Sequence, residues 1–199
     1  MGRAFACVMV RAAVLVAARG PIAAGRAASK RACATGGTTL DANRYARHFR
    51  RGDRFINAVY ACLRDGRRRL IGEQTDLTAG TSIYRLSGRF VAHDTFFCPD
   101  PERCAAVLEV EDVSTGKVVR ATTDTEPGSP VGDLVVTSAG QAAWTRATAT
   151  TRQLLCFDAA GHRTVIDEGP DIRFGSVALT GTALYWTHGD QPRTAQLTG

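Results

Sequence analysis

The chain is poor in several things that would otherwise point to a function. Among its 25 basic residues only Lys30 and Lys117 are lysines, the rest arginine. Arginine with abundant alanine and glycine reflects base composition as much as selection for binding, so a formal charge of +6 is weak ground for a nucleic-acid partner. No apolar run approaches the ~20 residues that a spanning helix needs. No sustained i, i+3, i+4 period follows the N-terminal region, which removes the helical classes. No Gly-x-Ser-x-Gly elbow occurs. No pair of closely spaced Cys or His ligands is followed by a second, as a zinc site would require. Neither a metal nor a cofactor is expected.

The length of 199 residues suits one domain preceded by a leader. Residues 1–25 read as that leader. Arg3 gives a positive start, Ala4–Ala18 is mostly apolar, and Ala23-Ala24-Gly25 resembles a cleavage site. Export to a secreted or extracytoplasmic location is therefore expected, with no membrane span once the leader is removed. Residues 26–54 form a mixed basic segment that can hold first strands, and residues 55–199 form the repeat domain. Of the six cysteines, Cys98 and Cys104 flank Pro99-Asp100-Pro101-Glu102-Arg103, a turn-forming insert. A disulfide there is the first choice, and Cys33 with Cys62 the second, leaving Cys156 single.

What is present is repetition. One unit is an apolar strand, a glycine turn and a second strand. It runs Val59–Ile71 around Gly66, Val107–Arg120 around Gly116, and Leu154–Asp167 around Gly161. A second unit alternates with it, at Ile83–Ala92, Leu134–Trp144 and Val177–Trp186, around Gly88, Gly140 and Gly181. The glycines of the first series are 50 and 45 residues apart, those of the second 52 and 41. That is the ~40–50-residue length of a four-stranded propeller blade. Continuous apolar runs such as Leu134-Val135-Val136 fit sheets buried on both faces. Trp144 and Trp186 stand at matching positions, where a large ring fills the wedge between blades.

The alternation resembles β-propeller proteins of the TolB-like and WD40-like kind, over Phe55–Leu197. Val110–Lys117 looks like their strand–turn–strand step, and Ala183–Thr187 like an inner strand, although the Gly-His and Trp-Asp signatures of WD40 repeats are missing. The resemblance implies an all-β fold of antiparallel four-stranded blade-like repeats, a partial or small β-propeller. A β-sandwich is the alternative. About three and a half blades are visible, against four to eight in closed propellers. An open arc would expose edge strands and an apolar face.

Residue by residue, the chemistry is thin. His188-Gly189-Asp190 follows the Trp186 strand, and by analogy with propellers His188 and Asp190 are ligand-mouth candidates; a solvated turn is the plainer reading. His93 and Asp94 are neighbours on a strand and point to opposite faces. Glu109, Glu111 and Asp112 read as acids that keep an exposed strand soluble. Asp167, Glu168 and Asp171 form another acidic group. Arg44, Arg47, Arg50, Arg51 and Arg54, with Tyr45 and Phe49, make a basic and aromatic patch that reads as a solvated face. Arg67-Arg68-Arg69 reads as a wet strand. Arg51-Gly52-Asp53 is a chance tripeptide in an arginine-rich chain. No catalytic residue stands out. The expected role is a binding module for a protein or small ligand, without nucleic acid, capable of self-association through exposed blade edges. A hydrolase or lyase with a loop-built site, and a truncated propeller, are the alternatives.

Overall fold

A computed structural model describes residues 36–52, 57–74, 79–81, 83–100, 103–124, 131–158 and 160–197. Every regular element among them is a strand. The first sheet is β1 (Thr38–Ala42), β2 (Ala46–Gly52), β3 (Asn57–Leu63) and β4 (Arg68–Gln74), paired in that order. In the second, β5 (Ala79–Gly80) and β6 (Tyr84–Ser87) both pair with β7 (Phe90–Asp100), followed by β8 (Arg103–Asp112) and β9 (Lys117–Asp124). The third runs β10 (Val131–Val136), β11 (Ala142–Ala147), β12 (Arg152–Phe157), β13 (Arg163–Gly169). The fourth has β14 (Ala178–Thr180), β15 (Ala183–His188) and β16 (Gln191–Gln196). All pairings are antiparallel between chain neighbours apart from β5 with β7, and the sheets do not close into a barrel.

The six hairpins expected from the glycine units all form. The first series is the hairpin of the third and fourth strands in a sheet, β3–β4, β8–β9 and β12–β13; the second series is the hairpin of the inner strands, β6–β7, β10–β11 and β14–β15. Their turns need left-handed backbone, which costs a side-chain-bearing residue energy and glycine almost none. Gly66 has φ 93° and Gly140 φ 81°. Strand pairing begins at Thr38, so the boundary placed at residue 55 falls inside the first sheet, whose β1 and β2 come from the basic segment.

Three apolar clusters join the sheets in series. Ala46, Val59, Ala61, Leu63 and Ile71 of the first sheet meet Leu86, Val91 and Val113 of the second. Phe90, Ala92, Leu108 and Val110 of the second meet Leu134, Val136, Trp144, Leu155 and Phe157 of the third. Ala143, Leu154 and Cys156 of the third meet Leu184, Trp186 and Leu197 of the fourth. Successive strand residues point to opposite faces. Val91 therefore packs toward the first sheet while Phe90 and Ala92 pack toward the third. The second and third sheets are buried on both faces, which a two-layer sandwich does not do. The first strands of successive sheets also gather on one side, β1 touching β6, β6 touching β10, and β10 touching β14. This is how blades are arranged.

The fourth sheet's far face differs from the apolar one an open arc would expose. Opposite the Leu184 side, the register places Ala178, Thr180, Ala183, Tyr185, Thr187 and Thr194. Only Tyr185 is a large exposed side chain on that face, at 46%.

Candidate functional site

The densest polar cluster ties the third sheet to the fourth. Asp167 enters from β13, paired with Leu154, on the face that packs against the fourth sheet. Its Oδ2 accepts the indole N–H of Trp186 at 2.6 Å and lies 3.0 Å from His188 Nδ1. Its Oδ1 accepts from the Arg193 guanidinium at 2.7 Å. The Asp167 side chain is 8% exposed. Burial works against its charge, but the Trp186 and His188 hydrogen bonds and the Arg193 charge outweigh that and hold its carboxyl below the usual range. With the carboxylate accepting at Nδ1, that ring nitrogen carries a proton. Gly169 lies against that ring; a methyl added there would strike His188 Nε2 and Cε1.

An Asp–His pair can orient an imidazole for proton transfer. Here all of Asp167's strong donors are structural, and among the described residues no hydroxyl or thiol bonds His188. His188 thus fastens two sheets, a placement that differs from the solvated mouth turn expected for it. Asp190 stands exposed in the β15–β16 turn and takes no part. Asp167 was legible only as one acid among three. Its signal was position, an acid within the apolar run Val165-Ile166-Asp167.

The acids of β8 also differ from expectation. Glu111 and Asp112 are 9% and 4% exposed, on a strand covered by β7 and β9. Asp112 accepts from the Ser114 backbone N–H at 2.9 Å and pairs with Arg89 at 3.2 Å, so it builds the β8–β9 turn. Glu109 faces His93 across the β7–β8 ladder, Oε2 to Nε2 3.8 Å. Asp94 turns the other way and accepts the Ile83 backbone N–H at 2.8 Å.

The basic patch is more ordered than a solvated strand would be. Arg47, Phe49, Tyr60 and Arg68 share the first sheet's face turned away from the second. Phe49 and Tyr60 stack with centroids 5.5 Å apart, Arg47 lies 4.7 Å over Phe49, and Arg68 4.8 Å over Tyr60. Arg47 also donates to Thr39 Oγ1 at 2.8 Å and to the Gly37 carbonyl at 3.1 Å. Arg51 and Leu70 are exposed on the same face. Arg67 and Arg69 are not free in water: they donate to the Ser114 and Thr115 carbonyls of the second sheet at 3.0 and 2.9 Å. Arg54 and Asp53 lie outside the described residues.

Cys62 and Cys156 stand at matching places on β3 and β12, each 1% exposed, and Cys156 keeps its thiol. Cys33 and the side chain of Cys104 lie outside the described residues, so both expected disulfide pairings do too. The leader also lies outside them. Among the described residues no three His, Cys, Asp or Glu side chains gather as metal ligands. No helix there is long and apolar enough to cross a membrane.

No family model matches the chain, and no curated protein matches it. A similar solved structure is that of the uncharacterized protein lmo1340 from Listeria monocytogenes EGD-e, at 10% identity and a TM-score of 0.44. The match covers 78% of this chain, which spans only about half, 51%, of that one.

Proposed function

We propose that the chain is an exported, propeller-like binding module, related to the TolB-like and WD40-like kind, that engages an acidic protein partner through the outer face of its first sheet. The observation that carries this reading is the concentration of positive charge in the first sheet, whose outer face carries Arg47, Arg51 and Arg68. Residues 36–78 hold nine arginines against five acids, whereas residues 79–199 hold ten basic residues against fourteen acidic ones. Arginines laid over Phe49 and Tyr60 are held in place by cation–π contact and keep their charge. Pre-ordered arginine and aromatic side chains are what interface centres are made of. The exposed edge strand β4, with Leu70 51% exposed, extends the same surface.

Export is supported by the composition of residues 1–25. The disulfide pairings Cys98–Cys104 and Cys33–Cys62 belong to the same reading, the first supported by the Pro-rich turn between its cysteines.

The test uses poly-L-glutamate as an acidic polypeptide probe, with heparin and poly-L-lysine as comparison arms. Poly-L-glutamate should bind at low salt and weaken steeply as salt rises. The double variant Arg51→Glu, Arg68→Glu should lose at least tenfold of that affinity with its thermal midpoint held. Absence of binding at low salt, binding untouched by the double reversal, or binding to heparin alone would overturn the reading.

A further inference from the structure

Two histidines sit between the first and second sheets, where no function requires them. His48 projects from β2 and is 0% exposed; His93 projects from β7 and is 2% exposed. Tyr84, paired with His93 across β6–β7, sets its ring edge-on to His48, centroids 5.2 Å apart. The Tyr84 hydroxyl donates to the Thr81 carbonyl at 2.9 Å, so its proton is not available to His48. Neither ring nitrogen of His48, nor Nδ1 of His93, has a hydrogen-bond partner among the described residues. Leaving buried polar atoms unsatisfied costs stability.

The charges around His48 decide what a proton would meet there. From β7 come His93 and Asp94, whose carboxylate already accepts the Ile83 N–H. From β8 comes Glu109, aligned with His93. Its own strand contributes Arg50 and β6 contributes Tyr84. β1 pairs Asp41 with it in register, but that carboxylate is exposed and bonded to the Ala42 N–H. β3 pairs Ala61 with it. From β4, Arg69 reaches the same seam beside Glu111. Among the described residues no carboxylate is within hydrogen-bond distance of the His48 ring.

We propose that this seam is an acid-operated release: on acidification, protonation of His48 and His93 separates the first sheet from the second, while the third and fourth sheets stay joined. His48 is held down to about 4 by burial and by the neighbouring His93. Burial also lowers His93, although Glu109 and Asp94 oppose it. The sign follows from linkage. A histidine depressed in the closed seam contributes its full stability above its ordinary value of 6.5, and that is lost as pH falls from there toward about 4. Lowering pH from 7.5 to 5.0 should raise the seam's opening constant about thirtyfold from His48 alone.

Hydrogen–deuterium exchange of the full chain at pH 7.5 and 5.0, corrected for intrinsic rates, tests this. Protection should fall at least tenfold in β2, β3 and β6 while β11, β12 and β15 keep theirs. His48→Phe should remove the larger, His48-dependent part of the difference and leave only the share of His93. The imidazole titration of His48, followed by NMR in the unaltered protein, should have its midpoint near 4. Protection that is unchanged, protection lost uniformly from all four sheets, or a His48 midpoint at 6 or above would each overturn the proposal. The titration keeps it decidable if the Phe variant does not fold.

Discussion

Removing the Asp167 carboxylate tests whether the third and fourth sheets are fastened by one polar hub. In Asp167→Ala, the Trp186 indole N–H, bonded at 2.6 Å, and the His188 imidazole, at 3.0 Å, both lose their acceptor. A hydrogen bond to a charged group contributes about 1.5–3 kcal/mol, and a stranded buried donor costs a comparable amount. Arg193, with its side chain 44% exposed, adds less than about 1 kcal/mol. Together these give a destabilisation of about 4 kcal/mol, a large fraction of the ~5–15 kcal/mol that holds a domain. Asp167→Asn keeps one acceptor oxygen but sets an amide N–H₂ against existing donors, and should cost about 2 kcal/mol. A double-mutant cycle with Trp186→Phe should return about 1–2 kcal/mol of coupling. Urea unfolding at pH 7, followed by tryptophan fluorescence and far-UV circular dichroism together, is the assay. Because the folded carboxyl lies below its unfolded value, the gap between wild type and Asp167→Asn is present above about pH 4 and closes as pH falls through the folded value. A loss below about 1 kcal/mol for Asp167→Ala would refute the hub.

Other perturbations follow from the same contacts. Trp144 is 1% exposed with its ring 5.0 Å from Phe157, so Trp144→Ala should cost about 3–5 kcal/mol by chemical denaturation. Gly169→Ala should destabilise by about 2 kcal/mol because the new methyl meets the His188 ring, and most of that should vanish in a His188→Ala background. Mass spectrometry of residues 26–199, alkylated before and after reduction, should show two disulfides and one thiol at Cys156; three or more thiols would exclude the pairings proposed above.

The hairpins were legible because turn chemistry and strand pattern agree locally. A glycine between two apolar strands fixes both the turn and the pairing, and six such units at blade spacing define the sheets. Trp144 and Trp186 were legible as wedge fillers for the same reason, each buried toward the preceding sheet. The first two strands were harder to see. Ala46–Gly52 is crowded with arginine, yet Ala46 and His48 are buried against the second sheet, and Phe49 on the other face is covered by the Arg47 guanidinium. Glu111 and Asp112 were misjudged as exposed because a strand's neighbours, β7 and β9, come from elsewhere in the chain. The Asp167 hub depends on side chains 19, 21 and 26 residues away, a relation that no local pattern encodes. The His48–His93 seam is likewise set by which sheets stack.

Four blade-like sheets stack in series, and among the described residues each is joined to its chain neighbours by the three apolar clusters. Methyl NOE spectroscopy on the Ile, Leu and Val-labelled chain reads this directly. Cross-peaks should join Leu63 with Val91, Val110 with Leu134, and Leu154 with Leu184. Val59 of the first sheet should show none to Leu184 of the fourth. Cross-peaks between those two outer sheets, or loss of the Leu154–Leu184 contact, would contradict the account.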